Sequence, residues 1–446
     1  MRRRITTAIG VAGVVVALLA PAGPVQAEAQ IRWSAEHSVT DGPDAAFDIA
    51  LSPDAGSVYV TGTVTIAYDS ATGSELWVAP PGGRAIAVSG DGSMVFVSQV
   101  AGGAPVCGGE TTALDSETGL TLWSVPFGGL LTSDPVGSAL YVGNSATSSF
   151  WPDCQGRLIA LNPEDGVVRW QRNLANDVSI RAIEVSPDGR RVFAAGSQLW
   201  WDDYACEEEG LPGGNMWIAT FRAVGGSRVW DRTISAPGSS VDGTSSLALS
   251  PSGDRAYLYG DWHPYGSSCW GRSAPRAATL TLRAATGQEQ EVAVFNHRNP
   301  QIFGCEGGSP AAGLLAIAPS GRALVHAGIQ SGDCKSTNIV IVASDTRGNV
   351  EWSREIDLGS DDRPLSVLYG PQGGRVYVGG VSGDSVFVTS LSKKNGSRQW
   401  LQQIPGADFG AMGVGGPDPS VFIAGSTGGP DSDMLTASIG PAQSPP

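Results

Sequence analysis

One stretch, Ala67-Tyr68-Asp69-Ser70-Ala71-Thr72-Gly73-Ser74-Glu75-Leu76-Trp77, recurs in degenerate form from one end of this chain to the other. That repetition constrains the fold more than any other feature. The first arm, Ile66 to Tyr68, is β-branched and aromatic. Asp69 to Gly73 form a short turn in which Gly73 supplies the positive φ that such hairpins need, and the second arm carries Trp77. A unit repeated at similar intervals cannot bury its apolar face alone, so it stacks on its own copies.

A second unit precedes each hairpin. Phe47 to Leu51, the turn Ser52-Pro53-Asp54-Ala55-Gly56 and Val58 to Gly62 read as two strands. Pro53 presets φ, Asp54 bonds its own backbone and Gly56 is expected to take the left-handed position. Each full repeat is therefore four antiparallel strands. The first half recurs at Ile86 and near Leu131, Ile183, Leu247, Leu315, Val367 and Met412, while hairpins end at Trp77, Trp123, Trp170, Trp230, Trp352 and Trp400. One further hairpin, Thr279 to Ala293, has Gly287 but Glu291 where Trp belongs, so that junction is either looser or bonded differently.

At the chain ends the halves are offset. Ile31-Arg32-Trp33 is the end of a hairpin whose first half is missing, and the last repeat, near Val414 to Ile439, lacks a fourth strand. Joining the two ends in one sheet closes a ring and leaves no open flank. The expected fold is all-β: an eight-bladed β-propeller of four-stranded antiparallel blades, closed by an N-terminal strand joining the last blade. The alternative is a seven-bladed ring in which the loose copy near Leu131, with Ser133-Asp134-Pro135-Val136-Gly137, is misread.

Composition agrees, since 61 Gly and 29 Pro in 446 residues mark many short strands and turns. Arg2, Arg3 and Arg4 precede an apolar run from Ala8 to Ala20, and Val25-Gln26-Ala27 is a small-x-small cleavage site. Residues 1–27 therefore read as a secretory signal peptide, the run being too short to span a bilayer. Residues 28–440 read as a single propeller domain and 441–446 as a disordered tail. With 28 Lys and Arg against 43 Asp and Glu, the formal charge is −15, which repels nucleic acid and anionic lipid. The expected location is secreted, extracellular or in the cell envelope. There the even set Cys107, Cys154, Cys206, Cys269, Cys305 and Cys334 is expected to form disulfides. No two cysteines have C-x-x-C spacing and the four histidines are scattered, so no metal site is expected.

The repeats ending at Trp77, Trp123 (Ala113-Leu114-Asp115-Ser116-Glu117-Thr118-Gly119-Leu120-Thr121-Leu122-Trp123) and Trp170 closely resemble the tryptophan-docking repeat of the PQQ-like β-propellers, and the resemblance covers nearly all of the chain beyond residue 27. It implies eight blades in which Trp33, Trp77, Trp123, Trp170, Trp230, Trp352 and Trp400 each pack against a neighbouring blade, a structural role rather than ligand stacking. The family spans calcium-dependent quinoprotein dehydrogenases and non-catalytic assembly scaffolds. Its dehydrogenases carry an adjacent Cys-Cys disulfide over the quinone, and here no two cysteines are adjacent.

Loops between second and third strands, and those joining blades, open on one face of such a ring. Cys107, Cys154, Cys206, Cys269 and Cys334 fall in the former and Cys305 in the latter, so pairing is expected as Cys107–Cys154, Cys206–Cys269 and Cys305–Cys334. The same loops interleave aromatics and acids: Trp151, then Trp200, Trp201, Asp202, Asp203 and Tyr204, then Trp262, His263, Tyr265 and Trp270. Exposed aromatics give flat apolar area and carboxylates give directional acceptors, which suits ligand binding. The competing explanation is that they pack the long loops. No G-x-S-x-G, H-E-x-x-H, Walker or EF-hand pattern is present. The expectation is a monomeric, non-catalytic binding or scaffold module for a protein or carbohydrate, without nucleic acid, membrane span, catalytic residues or cofactor. The alternative is a quinone (PQQ)-dependent or metal-assisted extracellular oxidoreductase using PQQ and calcium.

Overall fold

Every half-repeat becomes an antiparallel strand pair, and two halves make a four-stranded sheet. The computed structural model describes residues 29–40, 42–100, 108–144, 156–174, 178–200, 213–235, 243–262, 276–295, 314–330, 337–416 and 419–441. Among them are eight such sheets and no helix. Blade 1 comprises Ala46–Leu51, Ser57–Gly62, Thr65–Asp69 and Glu75–Ala79; blade 2, Ala85–Val88, Met94–Val100, Gly109–Asp115 and Thr121–Val125. Blade 3 comprises Leu130–Ser133, Leu140–Asn144, Arg157–Leu161 and Val168–Asn173; blade 4, Val178–Val185, Arg191–Trp200, Gly213–Arg222 and Arg228–Ile234. Blade 5 comprises Gly243–Leu249, Arg255–Trp262, Arg276–Arg283 and Gln288–Val294; blade 6, Leu315–Ile317, Ala323–Gln330, Asn338–Asp345 and Val350–Ile356. Blade 7 comprises Asp362–Tyr369, Arg375–Ser382, Ser385–Ser392 and Arg398–Pro405.

Blade 8 takes Ala407–Gly415, Ser420–Thr427 and Met434–Pro441 from the C-terminus, and Ala29–His37 as its outermost strand, running antiparallel to the last one from Ala29 opposite Pro441 to His37 opposite Met434. The first strands of successive blades neighbour one another all the way round, including blade 8 against blade 1. The ring is therefore closed with eight blades, and the seven-bladed alternative is excluded: the copy near Leu131 is the inner strand of a complete blade.

Apolar side chains of each sheet pack against those of the next. The indoles set the spacing. Trp77 Nε1 of blade 1 donates to the Ser116 carbonyl of blade 2 at 2.9 Å, Trp123 to Pro163 at 2.8 Å, Trp170 to Ala223 at 2.7 Å, Trp230 to Ala284 at 3.0 Å, and Trp352 to Lys393 at 2.7 Å. Trp33 in the closing strand donates to Ser70 at 3.0 Å, which ties blade 8 to blade 1. Each acceptor is the first or, for Pro163, the second residue of the turn between the third and fourth strands of the next blade. The glycine of that same turn lies under the six-membered ring, as Gly119 does beneath Trp77. One hairpin thus receives the preceding indole on its glycine and sends its own indole onward.

Two seams differ. Glu291 stands opposite Thr281, where the other blades have Trp, and it is exposed. Gly348 of blade 6 instead meets the Ala293 Cβ. That junction is bonded differently: Arg255 Nη1 donates to Thr346 Oγ1 at 3.3 Å, and His326 packs between Phe295 and Tyr259 with ring centroids 4.1 and 5.1 Å away. At the other seam, Trp400 is 2 % exposed but its Nε1 has no hydrogen-bond partner among the described residues. Ring closure explains why. In blade 8 the third and fourth strands come from opposite ends of the chain, so the turn that would offer a carbonyl does not exist.

The turn at Ser52 departs from expectation. Ala55, not Gly56, has positive φ, at 57°. Aligned with Ser186-Pro187-Asp188-Gly189, Ala55 occupies the place of Gly189, whose φ is 67°. The cap is nonetheless intact, since Asp54 Oδ1 accepts from Ser52 Oγ at 2.6 Å and from the Gly56 amide at 3.0 Å.

Two substitutions should act with opposite sign. Gly119 has φ 70°, and a Cβ there would lie 2.7 Å from Trp77 Cε3, so Gly119→Val should cost at least about 2 kcal/mol through strain and a displaced indole. Ala55→Gly removes a left-handed alanine and should raise stability by about 0.5 kcal/mol after the entropy cost of glycine. Denaturant midpoints of the two variants check both signs.

Candidate functional site

A meander of four strands places the turns between strands one and two, and between strands three and four, on one face of the ring. Connections between strands two and three, and between blades, fall on the other. On this second face, blade 1 turns through Thr63 and Val64 and blade 7 through Gly383 and Asp384, whereas in blades 2 to 6 the chain from second to third strand is longer in every case. The longest such stretches leave from Asn144 in blade 3, Trp200 in blade 4 and Trp262 in blade 5, and return at Arg157, Gly213 and Arg276. The three longest connections thus belong to three adjacent blades, 3, 4 and 5, and blade 8 has an intermediate one of six residues.

Of the sequence candidates, Trp200 and Trp262 are the last residues of second strands rather than loop residues, and their backbones are paired across the sheet with Gly213 and Arg276. The β-ladders of blades 4 and 5 continue toward that face as far as Trp200 opposite Gly213 and Trp262 opposite Arg276. Trp151, Trp201, Asp202, Asp203, Tyr204, His263, Tyr265, Trp270 and all six cysteines lie outside the described residues.

The inner strands carry charges that the repeat pattern does not require. Asp48, on the first strand of blade 1, accepts from the Ile86 amide of blade 2 at 3.0 Å and from the Ile49 amide at 2.9 Å. Burial pushes its carboxyl up to about 6, and these two bonds oppose the shift. Glu184, on the first strand of blade 4, stands opposite Phe193, whose core cluster reaches into blade 5. Burial pushes Glu184 up to about 7, and desolvation is the whole of that shift among the described residues.

Arg181 is skipped by the same ladder, between Ile180 and Ala182, and desolvation lowers its guanidinium from the ordinary value. Phe47 is the skipped residue of blade 1, and the Arg84 guanidinium lies 4.4 Å from its ring centroid. Bulges on the inner strands thus turn single residues out of the ladder beside the axis. These residues were legible as charges inside otherwise apolar strands, Phe47-Asp48-Ile49 and Ile180-Arg181-Ala182-Ile183-Glu184. Their spatial role was not, because it depends on the neighbouring blade.

A quinone held by calcium needs converging oxygen ligands around the metal. Among the described residues no three His, Cys, Asp or Glu side chains converge to hold an ion, so these residues do not fit that arrangement. His326 is fully buried against aromatic rings, and His37 Nδ1 lies 3.2 Å from Glu75 Oε2 between the outer strands of blades 8 and 1. Both histidines serve packing between blades.

A family model described as outer membrane protein assembly factor BamB matches residues 12–263. No curated protein matches the chain. Among solved structures, the quinohemoprotein alcohol dehydrogenase of Comamonas testosteroni is similar at TM-score 0.60 and 14% identity, over 94% of this chain and 78% of that one. The quinohemoprotein alcohol dehydrogenase ADHIIG of Pseudomonas putida HK5 is similar at TM-score 0.55 and 13% identity, over 96% and 80%. BamB from Moraxella catarrhalis is similar at TM-score 0.52 and 14% identity, over 91% and 100%. At these identities the likeness is one of fold.

The raised carboxyl of Glu184 has a signed consequence. Between its ordinary value of 4.5 and about 7 the folded protein keeps a proton that the unfolded chain has lost. Stability from this group therefore falls as pH rises through that window and is flat above it. Glu184→Gln should flatten this part of the profile and raise stability at pH about 8 relative to wild type. Thermal melts of both proteins across the window test it.

Proposed function

We propose, for a chain that belongs to the PQQ-like β-propeller repeat family described as outer membrane protein assembly factor BamB, an exported, non-catalytic binding or scaffold role. The partner, a protein or carbohydrate, docks on the arc of long connections over blades 3 to 5. The observation that carries this reading is the asymmetry of the face: blades 7 and 1 close their second-to-third connections with two-residue turns, while those of the adjacent blades 3, 4 and 5 run to 12, 12 and 13 residues. Trp200 and Trp262 end adjacent blades on that arc, and the chain beyond them holds Trp201, Asp202, Asp203, Tyr204, His263, Tyr265 and Trp270. Indoles interleaved with carboxylates along the sequence supply apolar contact area and directional acceptors, the composition of binding hot spots. The description of the family as an assembly factor, and the fold shared with BamB from Moraxella catarrhalis, support a protein partner.

The oxidoreductase reading rests on the fold shared with two quinohemoprotein dehydrogenases, and fold likeness alone does not carry an activity. Dye-linked turnover after mixing the protein with PQQ and calcium would replace the binding reading with this one.

For the binding surface, a double variant, Trp200→Ala with Trp201→Ala, should keep the wild-type melting temperature while lowering the fraction of tryptophan fluorescence that acrylamide quenches. A loss of several kcal/mol with unchanged quenching would mean the indoles pack the loops, and the surface would lie elsewhere.

A further inference from the structure

The opposite face, with the tight turns, carries a charge pattern that the acidic chain does not predict. Between blades 4 and 5 it holds a cleft of about 570 Å³ lined by Arg190, Arg191, Arg255 and Arg283, with Asp188 and Asp254. The cleft between blades 2 and 3 on the same face, about 400 Å³, is lined by Asp91 and Glu164 with no Lys or Arg. The pseudo-symmetry of the ring makes the second cleft an internal control for the first. A formal charge of −15 makes four arginines in one cleft more conspicuous still.

The arginines occupy positions where other blades have a different chemistry. The last residue of the third strand is Asp69 in blade 1, Asp115 in blade 2 and Asp345 in blade 6. There the carboxylate caps the following turn: Asp69 accepts from the Thr72 amide at 2.8 Å, Asp115 from the Thr118 amide at 2.9 Å and Asp345 from the Arg347 amide at 2.8 Å. In blades 4 and 5 the same position is Arg222 and Arg283. Each lies directly across the sheet from another arginine, Arg222 from Arg191 and Arg283 from Arg255. Like charges directly opposite each other destabilise a sheet, so these two blades forgo a turn cap and add repulsion at one place.

Two carboxylates stand against the four arginines and offset only part of their charge. Asp188 accepts from Ser186 Oγ at 2.6 Å and the Arg190 amide at 3.1 Å, and Asp254 accepts from Ser250 Oγ at 2.7 Å. The carboxylates are thus held in their own turns, and the Arg190 and Arg255 Nε atoms stand 3.9 Å from them. Arg191 Nη1 donates to the Ala284 carbonyl at 3.1 Å and Arg255 Nη1 to Thr346 Oγ1, both neutral acceptors. These contacts orient the side chains and leave their charge in place.

We infer that this cleft binds a ligand carrying two or more phosphate groups. Guanidinium groups present forked donors that match phosphate oxygens bidentately, and several along a cleft select a multivalent anion over a single one. The site lies on the face opposite the proposed docking arc and does not depend on that reading. The phosphates can come from a free polyphosphate or from lipid headgroups, and the chemistry at the cleft is the same.

Calorimetric titration of the full chain with inorganic tripolyphosphate, and co-sedimentation with phosphatidylglycerol vesicles, separate the two sources. Response to tripolyphosphate alone assigns a free ligand, and capture by vesicles alone assigns a lipid surface. In either case Arg255→Gln with Arg283→Gln should weaken binding at least about tenfold. A second pair, Arg222→Asp with Arg283→Asp, introduces the residue that blades 1, 2 and 6 carry there. It should raise the melting temperature of the ligand-free protein while abolishing binding, so lost affinity cannot be ascribed to misfolding. No response to either probe, or equal affinity of wild type and both variants, overturns the inference. So does a salt-sensitive dimer in light scattering that the same variants dissociate, because the cleft would then serve a second copy of the chain.

Discussion

The indole that leaves each outer strand and lands on the next blade is the contact on which the ring depends. A buried large side chain stabilises by about 1.5–3 kcal/mol, and its N–H bond to a carbonyl adds about 0.5–1.5 kcal/mol. Each contact also sets an angle, because the acceptor and the glycine beneath the ring belong to one turn of the neighbouring blade. Repeated from blade to blade, a local contact becomes a global curvature. Closure then requires only that the last blade find a fourth strand, which Ala29–His37 supplies.

The two irregular seams show what that contact does when part of it is missing. At blade 5 the indole itself is absent, and the structure substitutes an arginine hydrogen bond on the turn and an aromatic stack of Tyr259, His326 and Phe295. At blade 7 the indole is present but its acceptor turn is replaced by two chain ends, so Trp400 is retained for its apolar area with its N–H unpaired among the described residues. An unpaired buried donor costs about 1–3 kcal/mol, comparable to what burying the ring contributes. The closing strand offsets this through Trp33, whose indole makes the full contact on Ser70 and Gly73 at the next seam.

Against this uniform frame the departures from the repeat carry the chemistry. Asp48 fastens the inner edge of one seam through a backbone amide, Glu184 holds a desolvated carboxyl at another, and Arg181 stands at a bulge. On the tight-turn face, Arg222 and Arg283 replace capping aspartates. Asp48 serves the fold by bonding the next blade, whereas Glu184, Arg222 and Arg283 place charges that no hydrogen bond to a neighbouring blade explains among the described residues.

The blade number, the closure and the two hairpin types were legible in the sequence because each is specified within a few residues and then repeated: a turn glycine, a tryptophan at fixed spacing, a proline-aspartate turn. The face on which the long connections fall was legible too, since it follows from the parity of a four-stranded meander. What only the tertiary structure decided concerns partners across a seam. That Asp48 meets the Ile86 amide, that Trp400 lacks an acceptor among the described residues, and that Arg255 serves the seam Glu291 leaves open all depend on which turn of the next blade arrives opposite. Ala55 takes a left-handed φ in place of Gly56 because the turn geometry belongs to the position in the repeat and not to the residue type. Arg255 and Arg283 are separated along the chain by a whole connection and become a pair only through strand register, so the cleft they line belongs to the ring.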